Sequence, residues 1–258
     1  MTTDVRTSDP IPSSHPGADG HRRRTPMTRS RRLALVAGVA YLLTFVFSIP
    51  TLGMKAPLDD ADFILGAGST TGVTWGALFD FICGVAGVVT AVALYPVARR
   101  HSRSAALGFV MSRTLEAAIL TVGAISLMAM VTLRQDFVGA GSDVATSLNV
   151  TGQSLLALHD WSFLFGPGMM PAINALLLGS ILYRSRLVPR WLPTMGLIGA
   201  PLLFVASLGT LFGAWDQVSS PSVLVVPLAL WELSLGFYLT FKGFRPSPLL
   251  DEDAIAPA

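Results

Sequence analysis

Residues 105–133 read AALGFVMSRTLEAAILTVGAISLMAMVTL. Twenty-nine residues with two charges form a run long enough to cross about 30 Å of hydrocarbon as a helix, at 1.5 Å per residue. The two charges, Arg113 and Glu116, fall inside the run and not at its ends. An ionisable group at mid-span costs at least about 2.5 to 3.5 kcal/mol, so it must face protein and find partners there. The reading of this one stretch therefore decides two things: the chain is built of membrane helices, and those helices enclose a polar interior.

Five further apolar blocks, at 33–53, 74–98, 153–183, 191–213 and 221–241, have the same character. None alternates with period two, which excludes a transmembrane barrel and predicts an all-α bundle of six spans. The composition agrees, with 52% hydrophobic and 13% charged residues, against about 25% charged in soluble domains. The formal charge of +2 is less informative than the placement of the cations. Seven Lys or Arg precede residue 33, three lie in 99–103, three in 184–190 and two in 242–245, while the opposite connections hold only Lys55 and Arg134. Positive residues stay on the cytoplasmic side. The expectation is a multi-pass protein of the cytoplasmic (inner) membrane with both termini inside.

Outside the spans, residues 1–29 are polar and basic and are expected to form a disordered cytoplasmic tail, as are residues 247–258. The cluster HRRRTPMTRSRR (21–32) holds the N-terminus inside and can meet anionic headgroups. Arg31-Arg32 precedes an apolar run with no A-x-A-like cleavage site, so that run is expected to remain as the first span. The loop 55–73 carries Asp59, Asp60 and Asp62 without the spacing of a calcium loop and reads as a solvated acidic turn. The Gly- and Ser-rich segment 134–149 reads as a second, mobile outer loop. A weak internal echo links Tyr95 with Tyr183 and Gly108 with Gly196, each pair thirteen residues apart in its half, and suggests a duplication. Cys83 is the single cysteine, so no intramolecular disulfide exists, and it reads as a small packing residue.

Depth assigns partners to the charges. Counted from residue 105, Arg113 lies about 12 Å and Glu116 about 16 Å into the third span; counted back from residue 241, Glu232 lies about 14 Å into the sixth. Arg113 and Glu116 share a face at i, i+3. A planar guanidinium can serve two carboxylates, so a buried Arg113, Glu116, Glu232 triad is expected. With one excess negative charge, it is either a staple holding one protonated Glu, or a site completed by a proton, a cation or a donor-rich ligand. A second group, Asp80, His159 and Asp160, lies nearer the outer ends. His159 and Asp160 differ by about 100° around a helix, which argues against a metal site of their own and for a hydrogen bond from His159 to Asp80 or to backbone. Gly76, Asp80, Gly84 and Gly87 fall near one face of the second span, where small residues admit close approach. Gly166, Pro167, Gly168 and Pro171 break the fourth span and predict a kink or an unwound turn. Four of the five Trp sit near span ends, and Trp231, beside Glu232, is the exception.

The strings YLLTF (41–45), ADFILGAGS (61–69), SRTLEAAI (112–119), HDWSFLFGPG (159–168), NALLLG (174–179), LVPRWL (187–192) and WELSLGFYL (231–239) resemble the bacterial domain of unknown function 4386 family over about residues 30 to 246. The resemblance implies a multi-span membrane protein of bacterial type and implies no activity. No H-E-x-x-H, nucleophile set or cofactor fingerprint is present, so neither a metal nor a cofactor is expected and an enzyme is disfavoured. The expected partners are the bilayer and a small-molecule or proton ligand, with no nucleic acid. Two functions remain open, a small carrier that uses the polar cluster as its site and a regulatory or scaffolding protein in which the cluster only specifies helix packing.

Overall fold

A computed structural model describes residues 27–60, 62–66, 68–137, 141–215 and 222–251. The described residues are helical with no strand. They form α1 (Arg29–Met54), α2 (Thr70–Ala98), α3 (Arg103–Asp136), α4 (Ser142–Phe163), α5 (Met170–Ser185), α6 (Trp191–Leu211), α7 (Ser222–Phe241) and a short α8 (Pro248–Asp251). Six membrane-length apolar helices result, because α4 and α5 continue into one another and count as a single span. Side chains set several starts: Thr28, Ser69 and Ser102 each accept a hydrogen bond from a first-turn amide, satisfying donors that have no partner within the helix.

The spans are arranged as a ring in chain order. Each lies against the next, and α7 closes the ring on α1. The ring is filled at the end where α1 begins and α7 finishes. There Tyr41, Leu94, Phe109, Leu178, Leu192, Trp231 and Leu239 belong to one buried core. Close backbone approach makes the filling compact: Gly38 faces the Thr240 backbone, and Gly196 lies under the Trp231 indole, where a Cβ would clash at 2.5 Å. Arg31 donates to the carbonyls of Leu239 and Thr240 at 2.9 and 2.6 Å, tying the first span to the last. A smaller core of Leu58, Phe63, Ile64, Val73, Leu127 and Val131 packs at the opposite end, beneath the α1–α2 connection.

Several expectations need correction. In the α1–α2 connection Asp59, Asp60 and Asp62 are exposed, as expected of a solvated acidic turn, but the connection also carries two 3-10 turns, at Ala56–Asp59 and Phe63–Leu65. Arg134 anchors it by donating to the carbonyls of Phe63, Gly66 and Gly68 at 2.8, 3.0 and 2.6 Å, with its guanidinium 4.6 Å from the Phe63 ring. Gly66, at φ 126°, supplies a backbone conformation that other residues rarely adopt. The segment 134–149 is mostly helix: α3 runs to Asp136 and α4 begins at Ser142, with Gly152 packed on Ile64. Its Gly and Ser content hid a helix that tertiary packing stabilises. At the C-terminal side, residues 248–251 form a helical turn whose Leu250 joins the main core, so the tail expected from 247 is ordered there. Of the expected N-terminal tail, residues 27–29 open α1 and residues 1–26 lie outside the described residues, as do 252–258.

The fourth span is interrupted in a specific way. Residues Leu164–Met169 form a π-helical turn, so the chain neither unwinds nor stops. A wider turn absorbs one extra residue and relieves the clash between Pro167 and the preceding turn. The Gly168 carbonyl accepts from Ser207 Oγ of α6 at 2.8 Å, so an acceptor loosened by the irregular turn is satisfied from the neighbouring span.

Candidate functional site

Beyond the filled end, the ring encloses a cavity of about 700 Å³ with residues of all six spans in its lining. Arg113 sits at its inner end. Arg113 is 5% exposed and makes two sets of bonds. One terminal nitrogen donates to both oxygens of Glu116, at 3.1 and 3.3 Å, and the other donates to Glu232 at 2.5 Å. The guanidinium also lies 5.4 Å from the ring of Tyr41 and 6.0 Å from that of Phe109, within range of a cation–π attraction. Thus α3 and α7 are joined across the ring at one level, as the depth count requires. Asn174 of α5 donates to Glu116 at 2.7 Å, a partner the charge pattern did not reveal because Asn is neutral.

Two buried polar atoms of this cluster have no hydrogen-bond partner among the described residues: Arg113 Nε and Asn174 Oδ1. Leaving such an atom unmade costs about 1 to 3 kcal/mol. Both belong to residues bonded within the cluster, whose hydrogen-bonding capacity therefore exceeds what the surrounding side chains use.

The second polar group lines the same cavity nearer its opposite end. Its geometry takes one of the two alternatives expected for His159 and gives Asp80 a partner that was not expected. Asp80 is bonded to Lys55, not to His159, at 2.5 Å. His159 Nδ1 instead lies 3.3 Å from the Gly123 carbonyl of α3, the backbone alternative. Asp160 is also in the lining. Lys55, expected in the outer loop, follows the last residue of α1 and folds back inward, its Nζ 5.8 Å from the Phe163 ring. Its stem lies against Gly76, where a Cβ would approach Lys55 Cγ to 3.0 Å. The small-residue face of α2 therefore serves three different neighbours, since Gly84 packs on Ala117 and Gly87 leaves room beside Arg113. Among the break residues, Pro167 and Pro171 line the cavity, Gly166 packs on Ile119, and Gly168 supplies the carbonyl held by Ser207. Among the described residues, no group of three or more His, Cys, Asp or Glu is placed to hold a metal ion.

A family model described as Domain of unknown function (DUF4386) matches residues 36–243. The chain belongs to this family. The DUF4386 match begins within α1 and ends just past α7, so it covers the whole ring and every residue of the cavity named above. No curated protein and no solved structure matches this DUF4386 chain.

Proposed function

We propose that this integral membrane protein is a small carrier whose cavity holds a ligand or a proton against the Arg113, Glu116, Glu232 cluster. The observation that supports this reading is the cavity of about 700 Å³ with all three residues in its lining, a size within the range of small-molecule sites. Among the described residues, short connections between spans leave no separate domain to carry an activity of its own. The uneven distribution of Lys and Arg supports placing both termini in the cytoplasm and the bundle in the cytoplasmic membrane. The scaffolding alternative draws support from the bonds of Arg113 to carboxylates on two helices, which would serve equally as a staple.

Cys83 discriminates between them. It is the only cysteine and lines the cavity, so the native protein is its own reporter. In sealed vesicles, a charged, membrane-impermeant thiol reagent should modify Cys83 from one face of the membrane. A thiol that is protected from both faces while the protein is folded, and reactive once it is denatured, would favour the scaffold.

A further inference from the structure

We infer that the ligand is a membrane-dissolved amphiphile with a positively charged head, which reaches the cavity sideways between α1 and α7. The inference rests on reading the cavity as a ligand site and adds to it a route and a charge.

The route follows from how the ring closes. Where α1 begins and α7 finishes, the two helices are in close contact: Gly38 lies on the Thr240 backbone, and a Cβ on Gly236 would stand 3.1 Å from Tyr41 Cβ. Beyond Tyr41, Thr51 is the only further buried residue of α1. Neighbouring seams behave differently. Gly72 of α2 packs on the Met54 carbonyl of α1, and Gly199 of α6 packs on the Leu228 backbone of α7. Ile49 and Leu52 are 63% and 76% exposed, yet both belong to the cavity lining, as does Val225 across the seam. Side chains that face outward and also line an interior mark the rim of an opening. This rim is apolar and lies along membrane spans, so it faces acyl chains. Ser48, exposed and in the lining, places a hydroxyl on the same path.

The charge follows from the lining. Acidic side chains outnumber basic ones in the lining even without Asp160: Asp59, Asp80, Glu116 and Glu232 against Lys55 and Arg113. A cavity walled by low-dielectric helices focuses that excess and selects for a cation. The aromatic rings of Phe45 and Phe163, also in the lining, suit an ammonium group, and the remaining apolar wall suits a hydrocarbon chain.

The test uses the full chain in phosphatidylcholine nanodiscs and follows two readouts, the rate of Cys83 alkylation by N-ethylmaleimide and the melting temperature. Dodecyltrimethylammonium should slow alkylation about tenfold at ten times its dissociation constant and raise the melting temperature. Dodecyl sulfate, with the same chain, and tetramethylammonium, with the same head, should do neither. Glu232→Gln should lower the final extent of protection, whereas Ser48→Trp, which narrows the seam, should slow its onset. Equal protection by dodecyl sulfate would overturn the charge assignment, and equal protection by tetramethylammonium would overturn the lateral route. If Cys83 reacts but the cationic amphiphile changes neither readout, the inference fails and the cavity reading stands. If Cys83 is inert in the folded protein and the melting temperature does not move, both fall. A rise in melting temperature specific to the cationic amphiphile supports the inference even with an inert thiol.

Discussion

Arg113 carries two carboxylates with one planar fork, and its removal should expose what each bond is worth. Arg113→Ala leaves Glu116 and Glu232 without their cation, a loss on the order of 3 to 5 kcal/mol if both are ionised. Glu232→Gln should be milder, because Glu116 keeps Arg113 and the Asn174 amide. Thermal melts of detergent-solubilised single and double variants measure the coupling, and additive effects of Arg113→Ala and Glu232→Ala would contradict the contact. Lys55 and Asp80 make a second pair. Lys55→Met should leave Asp80, 3% exposed, as an uncompensated charge, and adding Asp80→Asn should recover much of the lost stability in the same melts. The triad was legible in the sequence because charge, helical spacing and depth are all one-dimensional quantities. Lys55 was not, since hydropathy places it just past the end of a span and says nothing about a long side chain turning back into the bundle. Asn174 and Tyr41 fall in strings that carry the family resemblance, but neither charge nor spacing assigned them to the cluster, since they are neutral residues on helices whose facing depends on tertiary contacts.

At the scale of the element, the π turn at Leu164–Met169 sets the phase between two halves of one span. The α4 half presents His159 to Gly123, and the α5 half presents Asn174 to Glu116. A residue inserted beside Phe165 would rotate α5 by about 100° relative to α4 and carry Asn174 away from Glu116. Deleting Phe165 together with Pro167→Ala should instead remove the extra residue that the wide turn absorbs, giving a regular helix with both contacts in phase. The insertion is expected to lower the melting temperature well below that of the deletion variant, and the reverse order would show that the π turn does not govern phase. Gly and Pro in 166–171 announced an irregularity correctly, but their positions alone do not distinguish a kink from a widened turn. That choice is made by α3 and α6, through the Gly166 contact with Ile119 and the Ser207 bond to Gly168. The helical start at Ser142 escaped notice for a related reason: its support comes from Ile64, far away in sequence.

For the whole molecule, the proposed topology has six spans with both termini on the cytoplasmic side, a reading that rests on the uneven placement of the basic residues. Reporter fusions after residues 101, 187 and 245 should read cytoplasmic, and those near 62 and 142 external; an external reading after 187 would sink the arrangement. Span number was plain from hydropathy, whereas the ring order was not, since apolar stretches of similar length carry no record of which neighbours they choose. That order has a consequence for how the protein is made. Spans that neighbour one another in sequence can associate as they leave the translocation machinery, but the contact of α1 with α7 must wait for the last of them. Until then Arg113 has Glu116 and lacks Glu232, and the carbonyls that Arg31 will hold do not yet exist. A nascent chain halted before α7 is thus an open arc with an incompletely partnered ion pair in its bilayer-facing gap, the kind of intermediate that membrane quality control is suited to recognise.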